Sequence, residues 1–297
     1  MKKTVFITGA NKGIGYGIAK HLGLSGWSIV LGARNEERAE KAMKELKDLG
    51  IDVAGWVNVE LADLESIEKA AATITAEYPE LTMLINNAGI PGDMCQASYV
   101  TDMKHIKETV DVNFIGTFAL TKALIPLIQK NEGRIVNVTV PSEANPYWHP
   151  LAYVASKAAQ NAMMGIMALE FTQNNIPVEI FSVHPGPTTT DLNGNMALPG
   201  FHDIYTVGQK MAKLINHIVS TLILLTIDNL IIDIIHHISH LFLINAKTVH
   251  GVHDINNSFH ILVRYFDIIF IGCLLKSLLN IFLAVKVTLS KFLFNRS

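Results

Sequence analysis

Tyr153 and Lys157 stand four positions apart in a stretch, residues 153–171, whose apolar spacing predicts a helix, so both side chains project from one face. A phenol with a pKa near ~10 is a poor proton donor or acceptor at neutral pH. An ammonium beside it stabilises the phenolate and is expected to bring that value down. The pair therefore suits acid–base work on a substrate oxygen. A second chemical stretch opens the chain. Residues 4–15 read TVFITGANKGIG: a β-branched run, a glycine-rich turn and, from Ile14, apolar residues at helical spacing through Ile18, Leu22 and Leu24. Gly9, Gly13 and Gly15 permit a tight turn and a close approach of backbone to ligand, while the free N–H groups of a helix start attract an anion. Strand, turn and helix predict a phosphate site that fits a dinucleotide pyrophosphate, with Asn11, Lys12 and Ile14 in the loop.

These groups need a frame. Further apolar runs at 29–31, 53–59, 83–85, 135–139 and 178–184 predict five more strands, and helical patterns at 36–49, 63–78, 103–130 and 153–171 separate them. Gly26 and Gly50 close helices, Asn35 caps one and Pro79 stops another. Strand alternating with helix predicts a doubly wound parallel α/β sheet of Rossmann type, its ligand lying across the carboxyl ends at the switch between the first and fourth strands. Asn113 lies in the long pattern 103–130 among Val110, Phe114, Phe118, Leu120 and Leu124, so its amide needs an internal partner. At the end of the second strand an NAD site usually carries a carboxylate, about 20 residues beyond the glycines. Here Ala33 is followed by Arg34 and Asn35. A guanidinium binds a 2′-phosphate through a fork of donors, and Lys12 can approach from the other side, so the expected cofactor is NADP(H).

With 297 residues, 49% of them hydrophobic, the chain can bury one large core; a net charge of -2 gives no field for nucleic acid. Cys95 and Cys273, two and far apart, suit a reducing compartment, and a cytoplasmic setting is expected.

Thr8-Gly-x-x-x-Gly-Ile-Gly15, Asn86-Asn87-Ala88-Gly89, Asn113, Tyr153-x-x-x-Lys157 and Pro185-Gly186 occur in that order. Together they resemble the short-chain dehydrogenase/reductase family, nearest its carbonyl-reductase-like members, over residues 4–215. The resemblance implies hydride transfer between nicotinamide and a carbonyl or alcohol substrate, with Tyr153 as general acid/base and Lys157 also holding the nicotinamide ribose. Asn113 then holds a helix kink and a water linked to the lysine. Asn87, with Ala88 and Gly89, braces the sheet and shapes the ribose side. Glu60 and Leu61 face the adenine, Glu60 accepting from its amine. Pro185 and Gly186 fold over the nicotinamide, Thr188 bonds the carboxamide, and 189–201 form a mobile substrate loop. Tyr147 and Trp148 line the pocket. One position departs from the family. Val140 stands where a substrate-binding serine is expected. Thr139 should point to the other face, so Ser142, beyond Pro141, is the better stand-in. The departure supports an alternative, an NADP-binding protein with weak turnover that serves as a sensor or partner.

A dehydrogenase domain over 1–215, ending in a helix from Val207, precedes an Ile/Leu/His-rich tail, 216–297, in which the family's last strand is missing or replaced. No glutamate follows Glu179, and after residue 216 the acidic residues are Asp228, Asp233, Asp254 and Asp267. A shifted reading frame near His217, an added helical segment or oligomer surface, and a membrane anchor are the readings, in that order. The charge-free run 214–227 is shorter than the about 20 residues a span needs. His236 and His240 share a helix face beside His237, but nothing completes a metal set, and no metal is expected.

Overall fold

A computed structural model describes residues 3–143 and 148–216, all within the first of two units, 1–221 and 222–297, into which the chain divides. The readings for Tyr147, for the tail and for His236, His237 and His240 lie outside the described residues. Among the described residues six strands form one parallel sheet: β1 (Thr4–Thr8), β2 (Ser28–Ala33), β3 (Val53–Asn58), β4 (Leu81–Asn86), β5 (Arg134–Val138) and β6 (Glu179–Val183), in the order β3-β2-β1-β4-β5-β6. The order reverses between β1 and β4, and there the carboxyl ends of the strands open a crevice. Both faces of the sheet are covered, which is why β1 and β2 read as unbroken apolar runs rather than alternating ones.

Helices α1 (Gly13–Leu24), α2 (Glu36–Asp48) and α7 (residues 204–216) cover one face, where Ile18, Leu22, Leu46, Val207 and Ile215 meet Val5, Ile29 and Val136. Helices α3 (Leu64–Glu77), α5 (Thr117–Lys130) and α6 (Leu151–Gln173) cover the other, where Ile74, Leu124, Met164 and Phe171 meet Phe6, Leu84 and Ile135. Leu24, read as part of the α1 stripe, is exposed at the helix end.

The pattern predicted as one helix over 103–130 is instead α4 (Met103–Val110), a π-helical turn (Asp111–Gly116) and then α5. A π turn takes one residue more than an α turn, so α5 is rotated about the axis relative to an unbroken helix. Phe118, expected inside, is therefore 39% exposed, while Thr117, Leu120 and Thr121 turn inward.

Candidate active site

The glycine loop joins β1 to α1 at the crevice. Gly9 and Gly13 hold φ of +66° and +60°, conformations open to glycine. Gly15 is required by crowding: a Cβ there would come within 2.4 Å of Asn87 Nδ2 and 2.6 Å of the Gly9 carbonyl. Asn87 reaches across from the end of β4 and donates to the Thr8 carbonyl at 2.9 Å. Thr8, which sequence reasoning left out of the site, ties the same junction from below. Its hydroxyl donates to the Ile85 carbonyl and accepts from the N–H groups of Asn87 and Ala88, both at 3.0 Å. A polar residue ending the apolar β1 was the available signal. Asn11 and Ile14 are half-buried beside the loop.

The N-terminus of α1 fits a dinucleotide phosphate. Asn35, Asp63 and Asp102 cap α2, α3 and α4 with side-chain oxygens, whereas Lys12 gives α1 no side-chain cap and its first turn has no acidic residue. Unspent N–H groups and a positive helix end suit an anion.

Both cations assigned to a 2′-phosphate have carboxylate partners. Arg34 Nη1 lies 3.3 Å from Glu60 Oε2, and Lys12 Nζ 2.8 Å from Asp191 Oδ2. Glu60 also accepts from Ala62 N–H and donates its own N–H to Ser66 Oγ. Glu60, read as facing the adenine, is here the ion-pair partner of Arg34. Both pairs are exposed and so contribute little to stability. Leu61 is buried behind the π turn, its carbonyl 2.0 Å from where a Cβ on Gly116 would sit.

α6 carries the pair read from the sequence as acid–base groups. Tyr153 and Lys157 are both buried, and Lys157 Nζ sits 5.8 Å from the Tyr153 ring centre while donating to the Val138 carbonyl at 3.0 Å. The expectation that the ammonium lowers the phenol pKa is corrected: burial pushes Tyr153 up to about 12 and Lys157 down to about 8. Loss of water disfavours both charged forms more than the pair's separation favours them. Trp148 packs edge-on against the Tyr153 ring at 5.5 Å.

Asn113 lies in the π turn with every side-chain bond made. Its Nδ2 donates to the Ile90 carbonyl at 2.9 Å and to Ser156 Oγ at 3.0 Å, and its Oδ1 accepts from Ile90 N–H at 2.8 Å. Gly89 passes just outside, where a Cβ would meet Asn113 Oδ1 at 3.0 Å. Ser156, on the turn of α6 between Tyr153 and Lys157, is a second residue the sequence reading missed.

The hydroxyls near Val140 are turned to other work. Thr139 is buried and donates to the Val140 carbonyl at 3.3 Å, and Asn161 Nδ2 donates to the same oxygen at 3.0 Å. Ser142 stands exposed beyond Pro141. Pro185 and Gly186 follow β6, Gly186 at φ +74°. Thr188 is buried and donates to the Gly186 carbonyl. Residues 189–201, read as irregular, contain a short 3-10 helix, Asp191–Asn193, with reciprocal bonds between Thr190 and Asn193; Thr189 N–H bonds the His202 carbonyl.

Known proteins share this arrangement. The sequence profile described as short chain dehydrogenase matches residues 3–198. The chain belongs to the short-chain dehydrogenase/reductase family. Among relatives of this family, "Dehydrogenase/reductase SDR family protein 7-like" of Anopheles gambiae is 33% identical over 205 residues, covering 67% of this chain and 62% of that one. The mitochondrial D-beta-hydroxybutyrate dehydrogenase of Mus musculus is 32% identical over 190 residues, 62% of this chain and 54% of that one. The match thus spans little more than half the length of these curated relatives. An alcohol dehydrogenase from Thermococcus sibiricus, solved with 5-hydroxy-NADP, superposes with a TM-score of 0.65 at 25% identity, covering 73% of this chain and 91% of that chain. The chain is therefore a short-chain dehydrogenase/reductase in family and fold.

Proposed function

We propose that this protein is an NADP-dependent oxidoreductase of the carbonyl-reductase-like kind, reducing a small aldehyde or ketone with Tyr153 as the proton donor. The observation that carries the reading is the buried Tyr153–Lys157 pair on α6, with Lys157 bonded to the Val138 carbonyl at the carboxyl end of β5, together with an α1 whose N-terminus has no side-chain cap. The residues that would hold the cofactor are Gly9 and Gly13 to Gly15 at the pyrophosphate, Arg34 and Lys12 at the 2′-phosphate, Asn87 to Gly89 and Lys157 at the nicotinamide ribose, and Pro185 to Thr188 at the carboxamide. When bound, the nicotinamide would supply hydride to a carbonyl carbon or take it from a carbinol. The chain does the rest. Tyr153, pushed up to about 12, holds its proton at neutral pH and gives it to the substrate oxygen as negative charge develops there. Lys157 in its protonated form stabilises the phenolate left behind. Both groups are buried, with Trp148 edge-on against the Tyr153 ring. A cytoplasmic setting accords with the two separated cysteines.

A second reading has its own observation. Thr139 and Asn161 are spent on the Val140 carbonyl and Ser142 is exposed beyond Pro141, so neither hydroxyl weighed as a stand-in for the serine is held beside Val140 with a free proton. The corresponding protein binds NADP and turns over slowly, as a sensor or partner. Incubation with NADPH deuterated at both C4 positions and a panel of aldehydes and ketones separates the two. Deuterium on the carbinol carbon, with NADPH preferred over NADH and the preference lost in Arg34→Glu, is expected of the enzyme. Saturable NADPH binding without label transfer would establish the binder.

A further inference from the structure

Gln160 is fully buried on α6, one turn beyond Ser156 and two beyond Tyr153, and the proton transfer assigned to Tyr153 and Lys157 gives it no part. Its Nε2 donates to the main-chain carbonyl of Asn113, and to Thr117 Oγ1 at 3.2 Å. Ser156, one turn earlier, accepts from the Asn113 side chain. Two residues of the helix that carries Tyr153 and Lys157 therefore hold Asn113 from opposite ends, Ser156 by its amide and Gln160 by its backbone.

That double hold matters because Asn113 sits in a π turn, whose backbone departs from the regular ladder of an α-helix. Were the turn to relax to α geometry, α5 would rotate, as the outward Phe118 shows in reverse, and the Asn113 amide would leave Ser156 and Ile90. A buried carbonyl without a donor is costly, so the Gln160 amide favours the wide turn over its relaxed alternative.

We propose that Gln160 is a positioning residue for proton transfer, acting through Asn113 to keep the π turn in register with Tyr153 and Lys157 on α6. This deepens the oxidoreductase reading and rests on it. Displacement of a catalytic constellation by about 1 Å can cost on the order of a hundredfold in rate, while cofactor contacts elsewhere are untouched.

The test uses the full chain and three variants. Gln160→Met keeps the length and removes the donor, Gln160→Leu removes the donor with a shorter apolar side chain, and Thr117→Val removes only the other acceptor. Amide hydrogen exchange is followed at Ile90 and across 111–116 in the free chain, NADPH affinity by fluorescence, and hydride transfer in a single turnover with the best carbonyl of the panel. The expected result for both Gln160 variants is faster exchange at Ile90, NADPH affinity within about twofold of the native chain and hydride transfer slowed at least about tenfold, with Thr117→Val close to native. Native hydride transfer in both Gln160 variants would overturn the proposal, whatever their exchange. So would equal slowing in Thr117→Val, which would make the effect one of packing, or loss of fold in both Gln160 variants, which would assign Gln160 to stability alone. Absence of hydride transfer by the native chain would instead overturn the oxidoreductase reading, and this proposal with it.

Discussion

Val140 is the residue at which the chemistry of this site is thinnest. Its carbonyl is held by Thr139 and Asn161, so the backbone at the end of β5 is fixed, but the side chain offers the substrate oxygen nothing. A serine here restores a donor of the kind whose removal costs on the order of a hundredfold in rate. Val140→Ser is accordingly expected to raise kcat for carbonyl reduction about tenfold or more, with NADPH affinity unchanged; steady-state kinetics on one carbonyl substrate check it. Lys157 sets the pH dependence. Burial lowers its pKa to about 8 and raises that of Tyr153 to about 12, so between these values the phenol keeps its proton while the ammonium is lost. The protonated lysine is the active form and is present below its pKa. Reduction is expected to hold steady through neutral pH and to fall about tenfold per unit above about pH 8, a break that Lys157→Met abolishes. At this scale the sequence named Tyr153 and Lys157 by their four-residue spacing and Asn113 as a polar group amid an apolar stripe. It did not reveal the directions of the pKa shifts, which depend on burial, nor Asp191 beside Lys12, which is 179 positions away.

Elements were legible where their burial is simple. The two-faced strands and the helices α2 and α3, with their caps Asn35 and Asp63, fall within a residue or two of where the pattern places them. The π turn was not legible in the apolar pattern, because one inserted residue leaves it reading as continuous; only the family resemblance implied a kink at Asn113, where the turn lies. Crowding between elements was equally hidden. Gly17 on α1 and Gly208 on α7 let the two helices touch backbone to backbone: a Cβ on Gly17 would come to 2.2 Å from the Ile204 carbonyl, and one on Gly208 to 2.3 Å from Gly17 C. Gly17→Ala improves intrinsic helix propensity and would stabilise an isolated α1. In the folded chain it is expected to destabilise by about 1–3 kcal/mol, since the helices must separate. Thermal unfolding should show the melting temperature lowered by roughly 2–10 °C.

The whole chain divides at 221/222, and the first unit fastens its own last helix. Arg134, at the start of β5, donates to the Ile215 carbonyl and pairs with Glu179 of β6, and Trp27 donates to Asn216. A chain ending at Thr221 is therefore expected to bind NADPH within about threefold of the full chain, measured by fluorescence titration; a loss beyond about tenfold would show that the cofactor site needs the second unit. Fold and family were readable from five spaced motifs because the parallel sheet brings their strand ends to one crevice. The substrate was not, since its pocket is made by loops whose side chains meet only in the folded molecule. The oxidoreductase reading rests most directly on Tyr153 as proton donor. The deciding measurement is NADPH oxidation with a mixed carbonyl panel by the native chain and by Tyr153→Phe, which removes one hydroxyl from a buried ring. Turnover by the native chain, reduced at least about a hundredfold in Tyr153→Phe with NADPH binding intact, is the predicted result; equal rates in the two proteins would contradict the assignment.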